Sequence, residues 1–123
     1  MIKKFIQIKK MAHSEFADIL INSQIIHKRA SGSDKLRLFF KDQTYMDIWL
    51  SESGKYSYHW EHRAKRGLLH RHDNAPDHPK IETFPKHLHN GDEGNVRPSY
   101  LNDEPLNATR EFLEFVRKFI IEH

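Results

Sequence analysis

Short apolar runs separated by polar turns dominate the first two-thirds of the chain, and an apolar stripe at helical spacing closes it. Ser14 precedes Phe16, Ile19 and Leu20 at three- and four-residue spacing, which predicts a capped short helix over 14–22. From Gln24 the pattern shifts to β-rich runs at 25–30, 36–40, 45–50, 55–60 and 68–72. Ser31-Gly32-Ser33-Asp34, Lys41-Asp42-Gln43 and Glu52-Ser53-Gly54 are the connectors. This succession reads as an antiparallel meander of about five strands. In its fourth run Tyr56, Tyr58 and Trp60 fall on one face and Ser57, His59 and Glu61 on the other, because successive strand side chains alternate. In the fifth run Arg71 shares a face with Asp73, and His70 with His72; which pair meets the packed side is open. Beyond Pro105, Leu106, Phe112, Leu113, Val116, Phe119 and Ile120 form the stripe of an amphipathic helix. A sheet this small needs cover on its apolar face, and that helix supplies it. The expected fold is therefore α+β.

Between the last run and that helix, residues 74–98 show no convincing period. All five prolines follow residue 75, so the stretch reads as a folded-back Pro/His-rich loop of about 25 residues. Such long loops in compact domains are functional or disordered, and Phe84, the fixed φ of the prolines and the histidines favour the ordered alternative.

Composition narrows the picture. The 123 residues suit one domain, 1–123, with 37% hydrophobic and 30% charged residues and hence a modest core. No apolar run reaches the roughly 20 residues that span a bilayer, and the lysine-interrupted start lacks the continuous apolar core of a secretory signal. A cytoplasmic location without membrane contact is expected. With no cysteine, disulfides, thiolate metal sites and thiol nucleophiles are excluded. The net charge of +3 is uneven: residues 1–41 carry nine Lys/Arg against three Asp/Glu, and the remainder eleven against fourteen. A second basic stretch, Arg63, Lys65, Arg66 and Arg71, adjoins the histidines and would attract phosphates, as a nucleic-acid-binding patch would. The alternative is a solvated lysine-rich face.

Seven of the ten histidines lie between His59 and His89, beside Arg71, Asp73 and Asn74. Histidine exchanges protons near neutral pH, so such crowding beside a carboxylate and an arginine provides acid/base capacity. Three motifs hold these residues: Tyr56-Ser57-Tyr58-His59-Trp60, Arg71-His72-Asp73-Asn74-Ala75-Pro76-Asp77-His78-Pro79 and Phe84-Pro85-Lys86-His87-Leu88-His89. In order and spacing they resemble the TumE family of prokaryotic toxin-like proteins, over roughly residues 14–120 and most specifically over 56–89. His72 replaces the usual aromatic residue between Arg and Asp, and Asp77-His78 replaces a frequent double histidine. The resemblance implies the toxin of a two-component toxin–antitoxin pair, whose antitoxin is a small helix-turn-helix DNA-binding protein.

Without cysteine or a Gly-rich nucleotide loop, the reaction these residues suit best is metal-independent RNA cleavage by general acid/base transfer, needing no cofactor. His59, His78, His87 and His89 form the pool for acid and base, Arg71 would hold the phosphate, and Asp73 would fix a histidine tautomer. Arg63, Lys65, Arg66 and Asn74 would contact nucleic acid. His87 and His89, two apart, would suit a metal pair, yet the sequence offers no third ligand beside them. Asp73-Asn74-Ala75-Pro76 can equally be a turn, and Arg71 a surface ion-pair partner. Trp60 and the tyrosines read as core, and His13, His27, His62 and His123 as solvent-exposed; His70 and His72 are undecided. The competing function is a non-catalytic module that binds nucleic acid or protein through its basic face and rigid loop.

Overall fold

Seven strands pair only with their sequence neighbours, all antiparallel, in the order β1 to β7. The computed structural model describes residues 1–27 and 33–122. Helix α1 (Ile2–Glu15) leads into β1 (Leu20–His27), β2 (Asp34–Phe40), β3 (Tyr45–Leu50) and β4 (Tyr56–His62). A one-turn helix α2 (Arg63–Arg66), β5 (Leu68–Asp73), β6 (His87–Gly91), β7 (Val96–Pro98) and α3 (Pro105–Glu122) complete the chain. The fold is α+β, as the pattern requires. Residues 28–30 of the first expected strand and 31–32 of its turn lie outside the described residues, as does His123.

Two expectations are corrected. The N-terminal helix is not at 14–22 but at Ile2–Glu15, and Leu20 already pairs with Phe40 in the sheet. Its stripe is Phe5, Ile8, Met11 and Ala12, all buried, and the intervening lysines face outward. The sheet has seven strands rather than five, because β6 and β7 lie inside the supposed loop. In β6 the buried alternating positions are His87 and His89, so its period of two is written in polar residues, where a search for apolar alternation does not see it.

Alternation divides the sheet into two faces. Leu36, Leu38, Met46, Ile48, Tyr58 and Trp60 point toward the helices, where Phe5 and Ile8 of α1 and Phe112, Leu113 and Val116 of α3 seal them from water. Glu104 begins α3 by accepting from the backbone N–H groups of Leu106 and Asn107 (3.1 and 2.9 Å), with Pro105 at the first helical position. The same carboxylate takes Lys4 of α1 at 3.1 Å, and Arg110 of α3 reaches Glu15 of α1 at 2.9 Å, so the helices are clasped at two places.

Trp60 is the centre of this layer. It is fully buried, its indole N–H donates to Thr44 Oγ1 at 2.9 Å, and its ring stacks on His62 with centroids 3.7 Å apart. His62, expected at the surface, is 1% exposed. The reason is strand length: β4 runs to residue 62, so His62 extends the inward row of Tyr58 and Trp60. Its Nε2 lies 2.9 Å from Nδ1 of His70, and Phe119 presents its edge to both rings. The pairing Tyr58 with His72 and Trp60 with His70 puts His70 and His72 on the helix face and Arg71 and Asp73 on the other.

Burial, aided for His62 by the neighbouring His70 and Arg66, pushes the pKa values of His62 and His70 down to about 4. The unfolded chain then binds the extra protons, near the ordinary value of about 6.5, so protonation favours unfolding. Stability should be full near neutral pH and fall as pH drops from about 6.5 toward 4, above the range in which the paired carboxylates titrate. Urea melts should lose at least about 1 kcal/mol between pH 7 and pH 5, and His70→Phe should flatten that slope. A midpoint unchanged over this interval would contradict a neutral buried pair.

Candidate functional site

The face of the sheet turned away from the helices carries polar side chains, and those must satisfy one another. Cross-strand register sets them side by side: His59 of β4 opposite Arg71 of β5, Arg71 opposite His89 of β6, and Asp73 opposite His87. Residues 74–86 then fold back through backbone hydrogen bonds such as Asp77 N–H to the Ala75 carbonyl (2.8 Å) and Lys86 N–H to the Thr83 carbonyl (2.9 Å). That loop carries His78 onto the sheet, with its ring 4.7 Å from that of His87 and 5.8 Å from that of His89. Arg71, Asp73, His78 and His89 open onto a cleft of about 330 Å³, flanked by Trp49, Tyr56 and Asn74.

Hydrogen bonds fix the ring orientations. His87 Nδ1 donates to the Pro85 carbonyl at 3.0 Å and His89 Nδ1 to the Glu93 carbonyl at 2.9 Å, since a carbonyl can only accept. The Nε2 atoms therefore face inward, 3.0 Å from Asp73 Oδ1 for His87 and 3.6 Å from Oδ2 for His89. Asp73 also accepts from Ala75 N–H (3.0 Å) and from Arg71 Nε (3.0 Å). Arg71 donates through Nη2 to Glu93 at 2.6 Å and through Nη1 toward His59 Nδ1 at 3.3 Å. Because arginine cannot accept, His59 carries its proton on Nε2 and donates it to Glu61 at 3.0 Å.

The charges follow from these contacts. Burial works against the Arg71 cation, but Glu93 and Asp73 hold its pKa above the ordinary value. The bond to Arg71 keeps Glu93 ionised below the usual carboxylate range, and the Arg63 fork brings Glu61 down to about 2. Burial lowers the pKa of His89.

All six residues nominated for catalysis thus meet on one face. The nucleic-acid nominees do not. Arg63 is held by Glu61 at 2.6 Å, Arg66 turns to the helix side and binds Asp42 at 2.6 Å, and Lys65 is exposed between them on α2. Asn74 borders the cleft but acts as a brace, accepting from Tyr56 N–H at 3.0 Å and donating to the Gly54 carbonyl at 2.9 Å. Sequence reasoning missed Glu93, which holds Arg71 through its carboxylate and His89 through its carbonyl. The signal was the hairpin turn Gly91-Asp92-Glu93-Gly94-Asn95 between two extended segments.

The family model described as Toxin TumE matches residues 7–120, nearly the whole chain and every residue of the cluster. The chain belongs to the TumE family. It is accordingly a toxin of a toxin–antitoxin system and has an antitoxin as its partner. No curated protein and no solved structure matches it. No helix among the described residues is long and apolar enough to cross a membrane.

Asn74→Ala removes both brace contacts and should destabilise the fold by about 1 kcal/mol in urea melts. An unchanged midpoint would mean that the loop is positioned by other contacts.

Proposed function

We propose that this TumE toxin is a ribonuclease that cleaves RNA by histidine acid/base transfer on the open sheet face. The observation that carries the reading is the convergence of Arg71, Asp73, His78 and His89, from two strands and a returning loop, around one cleft, with His87 packed behind them. Phosphate fits Arg71, whose present partner Glu93 is an exposed carboxylate that an RNA phosphate can displace from the guanidinium fork. His89, with its proton fixed on Nδ1, offers Nε2 as the acceptor for a ribose 2′-hydroxyl proton. The 2′-oxygen then attacks phosphorus, and His78, at the cleft mouth, returns a proton to the leaving 5′-oxygen. The products are a 2′,3′-cyclic phosphate and a 5′-hydroxyl end. Asp73 orients His87 and Arg71, and His59 steadies Arg71 from the opposite side.

In this reading the chain acts as a single domain in the cytoplasm, needs no cofactor for the proton-transfer step, and is neutralised by a helix-turn-helix antitoxin. The basic groups Arg63 and Lys65 of α2 would add weak, salt-sensitive attraction for RNA.

Purified toxin incubated with total RNA should yield fragments ending in cyclic phosphate. His89→Ala, verified as folded by circular dichroism, should lower the rate by ~10²–10⁴-fold. Arg71→Lys, which keeps the charge but loses the planar fork, should cleave more slowly than the parent. RNA left intact by the wild-type protein would defeat the proposal, and retained but uncut RNA would favour a binding module.

A further inference from the structure

We infer that His78, His87 and His89 form a binding site for a divalent transition-metal ion of the zinc type. One ring nitrogen from each comes within 4.8 Å of the other two. A tetrahedral ion with nitrogen ligands at about 2.0–2.1 Å needs them about 3.4 Å apart, so the triad must close by on the order of 1 Å. His78 sits half-buried on the returning loop, while His87 and His89 are locked to backbone carbonyls, so the loop side supplies the closure.

Three features separate this cluster from histidines that merely pack together. Both strand histidines donate Nδ1–H to a carbonyl, the outer contact that orients imidazole ligands and leaves Nε2 free for a metal. Both free Nε2 atoms face the Asp73 carboxylate at 3.0 and 3.6 Å. Two neutral rings there would oppose lone pair to lone pair, so the geometry calls for a positive centre among them. The cluster also borders the cleft, which supplies a path for the ion and an open fourth position. Imidazole donors select zinc, cobalt, nickel or copper over magnesium and calcium, which prefer oxygen.

This inference goes beyond the ribonuclease reading and is decided by binding alone. An ion seated here occupies the lone pairs that proton transfer requires, so a chain holding the ion does not carry out metal-free cleavage until the ion leaves.

The test is titration of chelator-treated toxin with Co²⁺ and Zn²⁺, following the visible cobalt bands and the metal content after gel filtration. One ion per chain is expected, with bands of tetrahedral intensity and no response to Mg²⁺. His78→Ala, on the loop, should weaken binding by about 100-fold or more, and Asp73→Asn by ~10–100-fold. His89→Gln supplies a second ligand variant if one of these fails to fold. Absent or sub-stoichiometric uptake, or uptake unchanged in His78→Ala and His89→Gln, overturns the site. RNA cleavage measured in parallel separates the two readings: cleavage without metal uptake overturns only the metal site, and uptake without cleavage only the ribonuclease. Cleavage inhibited by Zn²⁺ agrees with both, whereas cleavage that requires it keeps the metal site and replaces the proton-transfer route.

Discussion

Everything on the working face follows from one constraint: both long helices cover the same side of the sheet. A seven-stranded meander presents alternate side chains to two faces, and α1 and α3 account for the apolar one. Among the described residues no helix covers the opposite face, which must be built from groups that tolerate water yet leave no buried charge unpaired. Its charges are accordingly paired within and between elements: Lys35 and Arg37 of β2 share Asp47 of β3, His59 of β4 and Arg63 of α2 share Glu61, and Arg71 spans Asp73 of its own strand and Glu93 of the β6–β7 turn. At the β5–β6 end a loop returns over this face, and there the pairs become a cleft.

Asp73 shows how the loop, the sheet and the chemistry depend on one carboxylate. It is nearly buried, which makes an isolated charge costly, and it accepts from Ala75 N–H and Arg71 Nε, with His87 Nε2 3.0 Å away. The Ala75 contact starts the turn that sends residues 74–86 outward, so the turn-forming and site-forming roles of Asp73 are one arrangement. An Asx turn and a contact with the histidines coexist here: Oδ1 accepts from Ala75 N–H and lies beside His87 Nε2, while Oδ2 accepts from Arg71 and lies beside His89 Nε2.

The alternation of β4 was legible because one of its faces is apolar: Tyr58 and Trp60 lie inward as the pattern required, and His59 lies outward beside Arg71. The same logic hid β6, whose inward positions toward the loop are His87 and His89. The N-terminal helix was obscured because lysines interrupt a stripe whose buried members sit at Phe5, Ile8 and Met11. Arg63 and Arg66 were read as one basic patch. A single helical turn between β4 and β5 sends them to opposite sides, one to Glu61 and the other to Asp42 under Trp60. His78 could not be joined to His87 and His89, since only the turns of residues 74–86 determine where the loop lands.

The seven clustered histidines are two populations with opposite physical meaning. His62 and His70 bond to each other beneath Trp60, enclosed by Phe115 and Phe119, and the nearest formal charge is the cation Arg66. A proton or an ion there would be desolvated and repelled, so these rings serve as polar members of the core. His87 and His89 are also buried, but their free nitrogens turn toward the anion Asp73, and His89 lines the cleft. Burial alone therefore does not separate a structural histidine from a chemical one. What separates them is the sign of the nearest charge and whether solvent or substrate can reach the lone pair, and both are set by which face of the sheet the residue occupies. A change of one residue in the register of β5 against β4 would exchange His70 and His72 with Arg71 and Asp73 across the sheet, burying the ion pair and dispersing the cluster. The inward rows of Tyr58 and Trp60 prevent that slip, so the apolar face holds the site in register.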